Sequence, residues 1–214
     1  MIFWTENLWA PCFRGNNYDQ YASKVAREKL GSLYVDTNND GIKDTSLDNY
    51  VVGYMWGTTG ILYNKAYVTD EEALSWSLMF DERFDGMIFV KDAFRDVYSP
   101  MLIYAKTLEA REAGLLGEDE TLSIETIREL MYDASDESIA LVEGYLKRMK
   151  QLVAGWEADF GKEMMTQEKA WINLMWSGDA VWAIDEASDV GVELGYEVPR
   201  EGSVVWFDGW VIPK

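Results

Sequence analysis

Two short stretches place aromatic rings beside carboxylates. One is Met175-Trp-Ser-Gly-Asp-Ala180; the other is Trp206-Phe-Asp-Gly-Trp-Val-Ile-Pro213. Trp176, Trp206 and Asp208 stand at the ends of elements rather than inside long apolar runs. A ring face and a carboxylate are the groups an aliphatic ammonium needs. The face covers the methylenes and attracts the cation through its quadrupole, worth about 0.5–2 kcal/mol. The carboxylate adds charge-assisted hydrogen bonds of about 1.5–3 kcal/mol each. The competing reading is that these tryptophans are core, because aromatic side chains dominate cores.

Two further clusters carry oxygen ligands. The apolar run Gly86-Met-Ile-Phe-Val-Lys91 leads into Asp92, Arg95 and Asp96. A strand entering a helix that begins with acidic and basic residues is a common site location in α/β folds. The plainer reading is an acid that complements the helix dipole. Asp36, Asn38, Asp40, Gly41 and Asp44 follow the spacing of a calcium loop, with Gly41 at the sharp turn. Leu47 stands at the bidentate position, and Asp48 comes one place late. A polar surface turn fits the same residues, so Ca2+ at residues 36–44 is a candidate ligand rather than a required cofactor.

Composition removes several classes. The 214 residues hold 38 Asp+Glu against 19 Lys+Arg, a net charge of −19. Such a field disfavours nucleic acid and anionic membranes and attracts cations; it also serves solubility. With no His and a single Cys12, His triads, His metal sites, internal disulfides and thiolate zinc clusters are excluded. No apolar run reaches membrane-spanning length. The first residues lack the basic, apolar and small-residue regions of a signal peptide. Ten Trp and 12 Tyr fit ligand stacking.

The elements that must position these groups alternate. Helical periodicity predicts helices over 18–30, 70–80, 93–113, 123–132, 136–154, 156–168 and 178–187. Strand patterns fall on 50–63 (two runs broken at Gly57-Thr-Thr-Gly60), 86–91, 170–176, 198–199 and 203–212. Alternation of this kind predicts an α/β fold with a mixed or mostly parallel sheet flanked by helices. The composition shift near 34–49 suggests an N-terminal helix and polar segment over 1–49 and an α/β ligand-binding lobe over 50–214.

From Tyr50 onward the chain resembles the spermidine/putrescine-binding proteins of ABC importers. The matching phrases are Gly53-Tyr-Met-Trp-Gly-Thr-Thr-Gly-Ile-Leu-Tyr-Asn64, Ser75-Trp76, Phe80-Asp81, Arg95-Asp96-Val97, Trp176-Ser-Gly-Asp-Ala180 and Trp206-Phe-Asp208, in the family's order. The resemblance implies a lobe of the type II periplasmic-binding-protein fold. It also implies ligand-binding roles for Trp176, Trp206, Asp208 and Asp96, with Asp92 and Tyr98 as neighbours. Ala93 and Phe94 stand where some members carry a further acid, which leaves the amine spacing open. Residues 1–49 are too short for the family's first lobe, so the chain is expected to represent mainly the second.

These readings give a leading expectation and two alternatives. The lead is a non-enzymatic, extracytoplasmic solute-binding component of an ABC importer. Its ligand would be a polyamine and its partners the transporter permease and a missing first lobe. A carbohydrate-binding or glycoside-acting domain is the second, since tryptophans stack on sugars and paired acids cleave them. A calcium-stabilised interaction module is the third.

Overall fold

The structure, a computed structural model, describes residues 34–35, 45–46 and 52–210. The predicted helix at 18–30, the calcium-type loop at 36–44 and the end of the last predicted strand lie outside the described residues. The chain divides into two compact units, Thr58–Val204 and a smaller one of Met1–Gly57 with Val205–Lys214. Sequence composition had drawn its boundary at 49/50 and kept 205–214 with the larger lobe. The observed division at 57/58 falls inside a continuous strand, where no change of composition marks it.

Strands β1 (Tyr34–Val35) and β2 (Thr45–Ser46) form a two-stranded antiparallel ladder. The main sheet is built from β3 (Val52–Asn64), β4 (Ile88–Lys91), β5 (Val153–Glu157), β6 (Ile172–Trp176) and β7 (Leu194–Glu197), in the order β5-β4-β6-β3-β7. Strand β8 (Val205–Trp210) also pairs with β3. Strands β5, β4 and β6 are mutually parallel, and β3 runs antiparallel to both β6 and β7. The sheet is therefore mixed, as the alternation predicted. The helices are α1 (Phe94–Glu112), α2 (Ile124–Leu130), α3 (Asp136–Met149), α4 (Gly161–Thr166) and α5 (Ser177–Asp189).

Side chains alternate along each strand, and this sorts the core of the larger unit into two layers. Ile61, Tyr63, Ile88, Val90, Ile172 and Leu174 face one way. They pack with Trp76, Met79, Val97, Met101, Val142 and Met149 from α1, α3 and the short helices before β4. Leu62, Met175 and Leu194 face the other way, against Met165 of α4 and Ala180, Ala183 and Ala187 of α5. The three alanines fall at i, i+3 and i+7, so α5 presents one small-residue stripe to the sheet.

The structure corrects several predicted elements. Residues 50–63 were expected as two runs, yet Gly57 and Gly60 sit inside one 13-residue strand. Gly60 stays in the strand because β7 crosses close by: a Cβ there would lie 2.5 Å from the Glu197 carbonyl. The expected helix at 70–80 is two 3-10 turns, Glu72–Leu74 and Trp76–Phe80. The helix expected to reach 154 stops at Met149, and 153–157 form β5. The helical period happened to run on through Val153, while Gly155 and the β-branched Val153 favour the extended form. Residues 198–199 are not a strand; the pairing lies one segment earlier, on β7.

Two polar clusters fasten the 3-10 turns. The Thr69 backbone and hydroxyl both donate to Glu72 at 2.8 Å, and the Glu72 amide donates back to the Thr69 hydroxyl at 3.3 Å. This is a capping box. The Glu72 carboxyl is held down to about 2 by the Thr69 backbone bond, with Arg83 and the Thr69 hydroxyl adding to it. Further on, Glu201 is 2% exposed and accepts from the Ser75 hydroxyl at 2.5 Å and the Trp76 amide at 3.4 Å. The buried Trp76 indole donates to the Gly202 carbonyl at 2.9 Å. The turn at 200–202 is thus tied to a segment 125 residues upstream.

Two outcomes are expected. Glu201→Ala strands the buried Trp76 amide and the half-buried Ser75 hydroxyl, and the buried amide alone costs about 1–3 kcal/mol; urea denaturation reads the loss. Because the folded-state pKa of Glu72 lies below its usual 4.5, its contribution is present above that value and is lost as pH falls toward 2. Glu72→Gln should therefore flatten the fall in melting temperature across that window.

Candidate functional site

The parallel strands β4, β5 and β6 end at Lys91, Glu157 and Trp176, so their C-terminal edges coincide. In open α/β sheets ligands bind outside this edge. The connections here are short. Asp92 and Ala93 link β4 to α1, and the Asp92 amide donates to the Glu157 carbonyl at 2.7 Å. Asp96 lies in the first turn of α1, where a negative charge complements the dipole. Trp176 occupies the N-cap position of α5 without a side-chain cap. Ser177 instead accepts from the Thr58 amide at 3.1 Å, which ties the start of α5 to β3.

Asp92, Asp96 and Trp176 are therefore brought to one edge of the larger unit. Asp92 is exposed, and Asp96 and Trp176 are half-buried. Tyr98 is placed differently. It is buried, stacks on Phe94 and donates its hydroxyl to the Asp133 carbonyl at 3.0 Å. Burial pushes that phenol up, and Asp133 pushes it further. Trp206 and Asp208 lie on β8 in the smaller unit, two residues apart and so on one face of the strand. Both are half-buried. The proposed calcium ligands Asp36, Asn38, Asp40 and Asp44 lie outside the described residues. Among the described residues, no group of three or more His, Cys, Asp or Glu is placed to hold a metal ion. No described helix is long and apolar enough to cross a membrane.

The same edge holds a cluster that sequence reasoning missed. Lys91 is 1% exposed, yet it carries a cation. Its Nζ lies 3.3 Å from Glu157 Oε1, 3.0 Å from Asp179 Oδ2 and 4.2 Å from the centroid of the Trp176 ring. Glu157 is fully buried and also accepts from the Gly161 amide at 3.0 Å, at the first residue of α4. Asp179 sits in the first turn of α5 and meets Lys162 at 3.6 Å. Lys162 in turn lies 5.4 Å over the Trp182 ring. Two cations and two anions make the cluster neutral, and each carboxylate complements a helix start.

The fold explains why these groups meet. Lys91 and Glu157 are register partners at the ends of neighbouring parallel strands. Alternation turns Lys91 to the side of Phe89, beneath α4 and α5. Gly161 permits the close approach: a Cβ there would collide with both Glu157 and Asn173. The visible signals were a charge ending an apolar strand at Lys91 and another at Glu157. Neither was informative alone, because strand-end charges are usually solvated.

Removing one partner of a buried pair leaves an uncompensated charge and costs about 3–5 kcal/mol. Lys91→Met should therefore destabilise the chain by that amount in urea titrations. The double variant Lys91→Met with Glu157→Gln should recover a large part of the loss, which a double-mutant cycle would read.

Comparisons with known proteins agree with this architecture. The chain is 22% identical over 178 residues to the spermidine/putrescine-binding periplasmic protein of Escherichia coli, covering 83% of this chain and 41% of that protein. Among solved structures it is similar to a candidate spermidine/putrescine ABC transporter from Listeria monocytogenes, with a TM-score of 0.61 and 26% identity over 87% of this chain and 50% of that one. A spermidine/putrescine ABC transporter substrate-binding protein from Streptococcus pneumoniae, solved with calcium and HEPES, superimposes with a TM-score of 0.58 at 24% identity. It is covered over 44% of its length, and this chain over 79%. The fold is thus that of the type II periplasmic binding proteins, and the chain spans about two fifths to a half of the relatives it matches. Matched from residue 9 to residue 214, the chain belongs to the family of bacterial extracellular solute-binding proteins.

Proposed function

We propose that this chain serves in an extracytoplasmic solute-binding protein that delivers polyamines such as spermidine or putrescine to an ABC importer. The observation that carries the reading is the C-terminal edge of the sheet. There Asp92 and Asp96 open one helix and Trp176 opens another, in a chain whose relatives are named for spermidine and putrescine. Trp206 and Asp208 carry the same two chemistries on β8. The acidic balance of the chain, −19, favours approach of a polycation.

The chemistry is binding without turnover. Each ammonium of the ligand is received by a carboxylate, and the methylenes between ammoniums are covered by a tryptophan face. A bound polycation delivered to a permease in this way requires no nucleophile and no bound metal. The permease and the remainder of a two-lobed binding protein are the partners this function needs.

Isothermal titration calorimetry with spermidine and putrescine, in low salt with calcium present, tests the reading. A saturable one-to-one isotherm is expected. Trp206→Ala combined with Asp208→Asn should weaken it about tenfold or more, since the ring face contributes about 0.5–2 kcal/mol and the carboxylate about 1.5–3 kcal/mol. Unchanged binding in that variant, with a native circular-dichroism spectrum, would contradict the assignment. Protection by a neutral oligosaccharide rather than by spermidine would favour the sugar-binding alternative.

A further inference from the structure

A groove of about 470 Å³ runs beside β5, between that strand and helices α1 and α3. β5 ends the order of the main sheet, so no described strand covers its outer side. One end of the groove is aromatic. Trp156 is the register partner of Val90 and therefore turns toward the layer of α1 and α3. Phe94 and Tyr98, from the first two turns of α1, line the groove with it. Phe94 is 68% exposed and Trp156 is also open to solvent. The Tyr98 hydroxyl is taken by the Asp133 carbonyl, so this residue offers the groove apolar surface.

Helix α3 supplies the other end. Ile139, Val142 and Leu146 recur at i, i+3 and i+7 and share a face. Val142 joins the core with Val97 and Met101, while Ile139 is exposed and Leu146 half-buried. The same face ends on Lys150, about 16 Å beyond Ile139 along the helix axis. Three charged side chains line the groove, Glu143, Lys147 and Lys150. Glu143 and Lys147 neutralise one another at 2.8 Å. Lys150 is exposed and has no carboxylate within ion-pair distance among the described residues. The groove thus carries one net positive charge, at one end, on a chain of net −19. A lysine at a helix C-terminus also complements the dipole; this one in addition borders an apolar groove.

From this geometry we propose that the groove binds an amphipathic monocarboxylate with an extended apolar body. The carboxylate meets Lys150, and the body lies along Leu146 and Ile139 toward the rings of Phe94 and Trp156. Small-molecule sites hold about 300–1,000 Å³ and are lined mostly by apolar and aromatic side chains, with a few polar groups that fix orientation. This groove has that size and that composition. Its lysine selects an acidic head group, and the distance from Lys150 to Ile139 favours a linear body over a compact one. The site is separate from the carboxylates and tryptophans assigned above to a polyamine, and it selects the opposite charge.

Methyl NMR of the intact chain, titrated with octanoate, octylammonium or 1-octanol, tests the proposal. Octanoate should move the Ile139 and Leu146 methyl signals saturably. Octylammonium should move them more weakly, although the net charge of the chain favours it. Lys150→Met should raise the octanoate Kd about two- to fivefold, the range of one exposed ion pair, and leave 1-octanol unchanged. Lys150→Glu should reverse the preference between acid and amine. Silence at both methyls, equal effects of octylammonium and octanoate, or an octanoate Kd unmoved by Lys150→Met would overturn the proposal. So would shifts of these methyls that grow with protein concentration in the absence of octanoate, which would give the face to a second copy of the chain. A chain silent toward spermidine that still takes octanoate would remove the polyamine reading and leave the groove standing.

Discussion

The larger unit depends on one buried ammonium. Lys91 is sealed from solvent at the end of β4, where the carboxylates of Glu157 and Asp179 and the face of Trp176 make that position tolerable. Each partner comes from a different element: Glu157 from β5, Asp179 from α5, Trp176 from the junction of β6 and α5. The ion therefore fixes three strand ends and two helix starts relative to one another. These are the same strand ends that carry Asp92, Asp96 and Trp176.

This arrangement separates two uses of the same chemistry. Inside the edge, charge is balanced, with Lys91 and Lys162 matched to Glu157 and Asp179. Buried ion pairs of this kind gain little net stability over apolar packing, because desolvation offsets their attraction. What they supply is definite position: an ammonium held by three partners has few alternative seats. Outside the edge, Asp92 is exposed and Asp96 half-buried at the start of α1. The family to which the chain belongs is built for binding solutes, and an edge rigid on its inner side and acidic on its outer side suits that task.

Much of this was legible in the sequence, and the misses have physical causes. The α/β class followed from alternation, and α1, α2, β4 and β6 followed from periodicity and from caps such as Ser123, which accepts from the Thr126 amide. The motif phrases pointed to the correct family; Trp-Ser-Gly-Asp sits at the junction of β6 and α5 as expected, whereas Trp206-Phe-Asp208, expected at an element end, lies inside β8. β5 was hidden because Val153 continued the apolar stripe of α3 by coincidence. β7 was hidden because Leu-Gly-Tyr-Glu is short and interrupted by Gly195, which makes room for the Tyr63 ring. The Lys91 cluster was illegible for a different reason. Its members are separated by up to 88 residues, each looks like an ordinary surface charge, and only strand register brings them together. Tyr98 shows the converse: motif proximity suggested a ligand contact, while its hydroxyl holds the Asp133 carbonyl.

The central claim is that Lys91 is a locked internal cation rather than a mobile surface charge. Nitrogen-15 NMR of the lysine ammonium groups tests it most directly. The account predicts a slowly exchanging Lys91 ammonium cross-peak, visible where solvent-exposed lysines are broadened by exchange, absent in Lys91→Met and retained when spermidine is added. A spectrum without a protected ammonium signal, or one in which the signal is lost as spermidine enters, would contradict it.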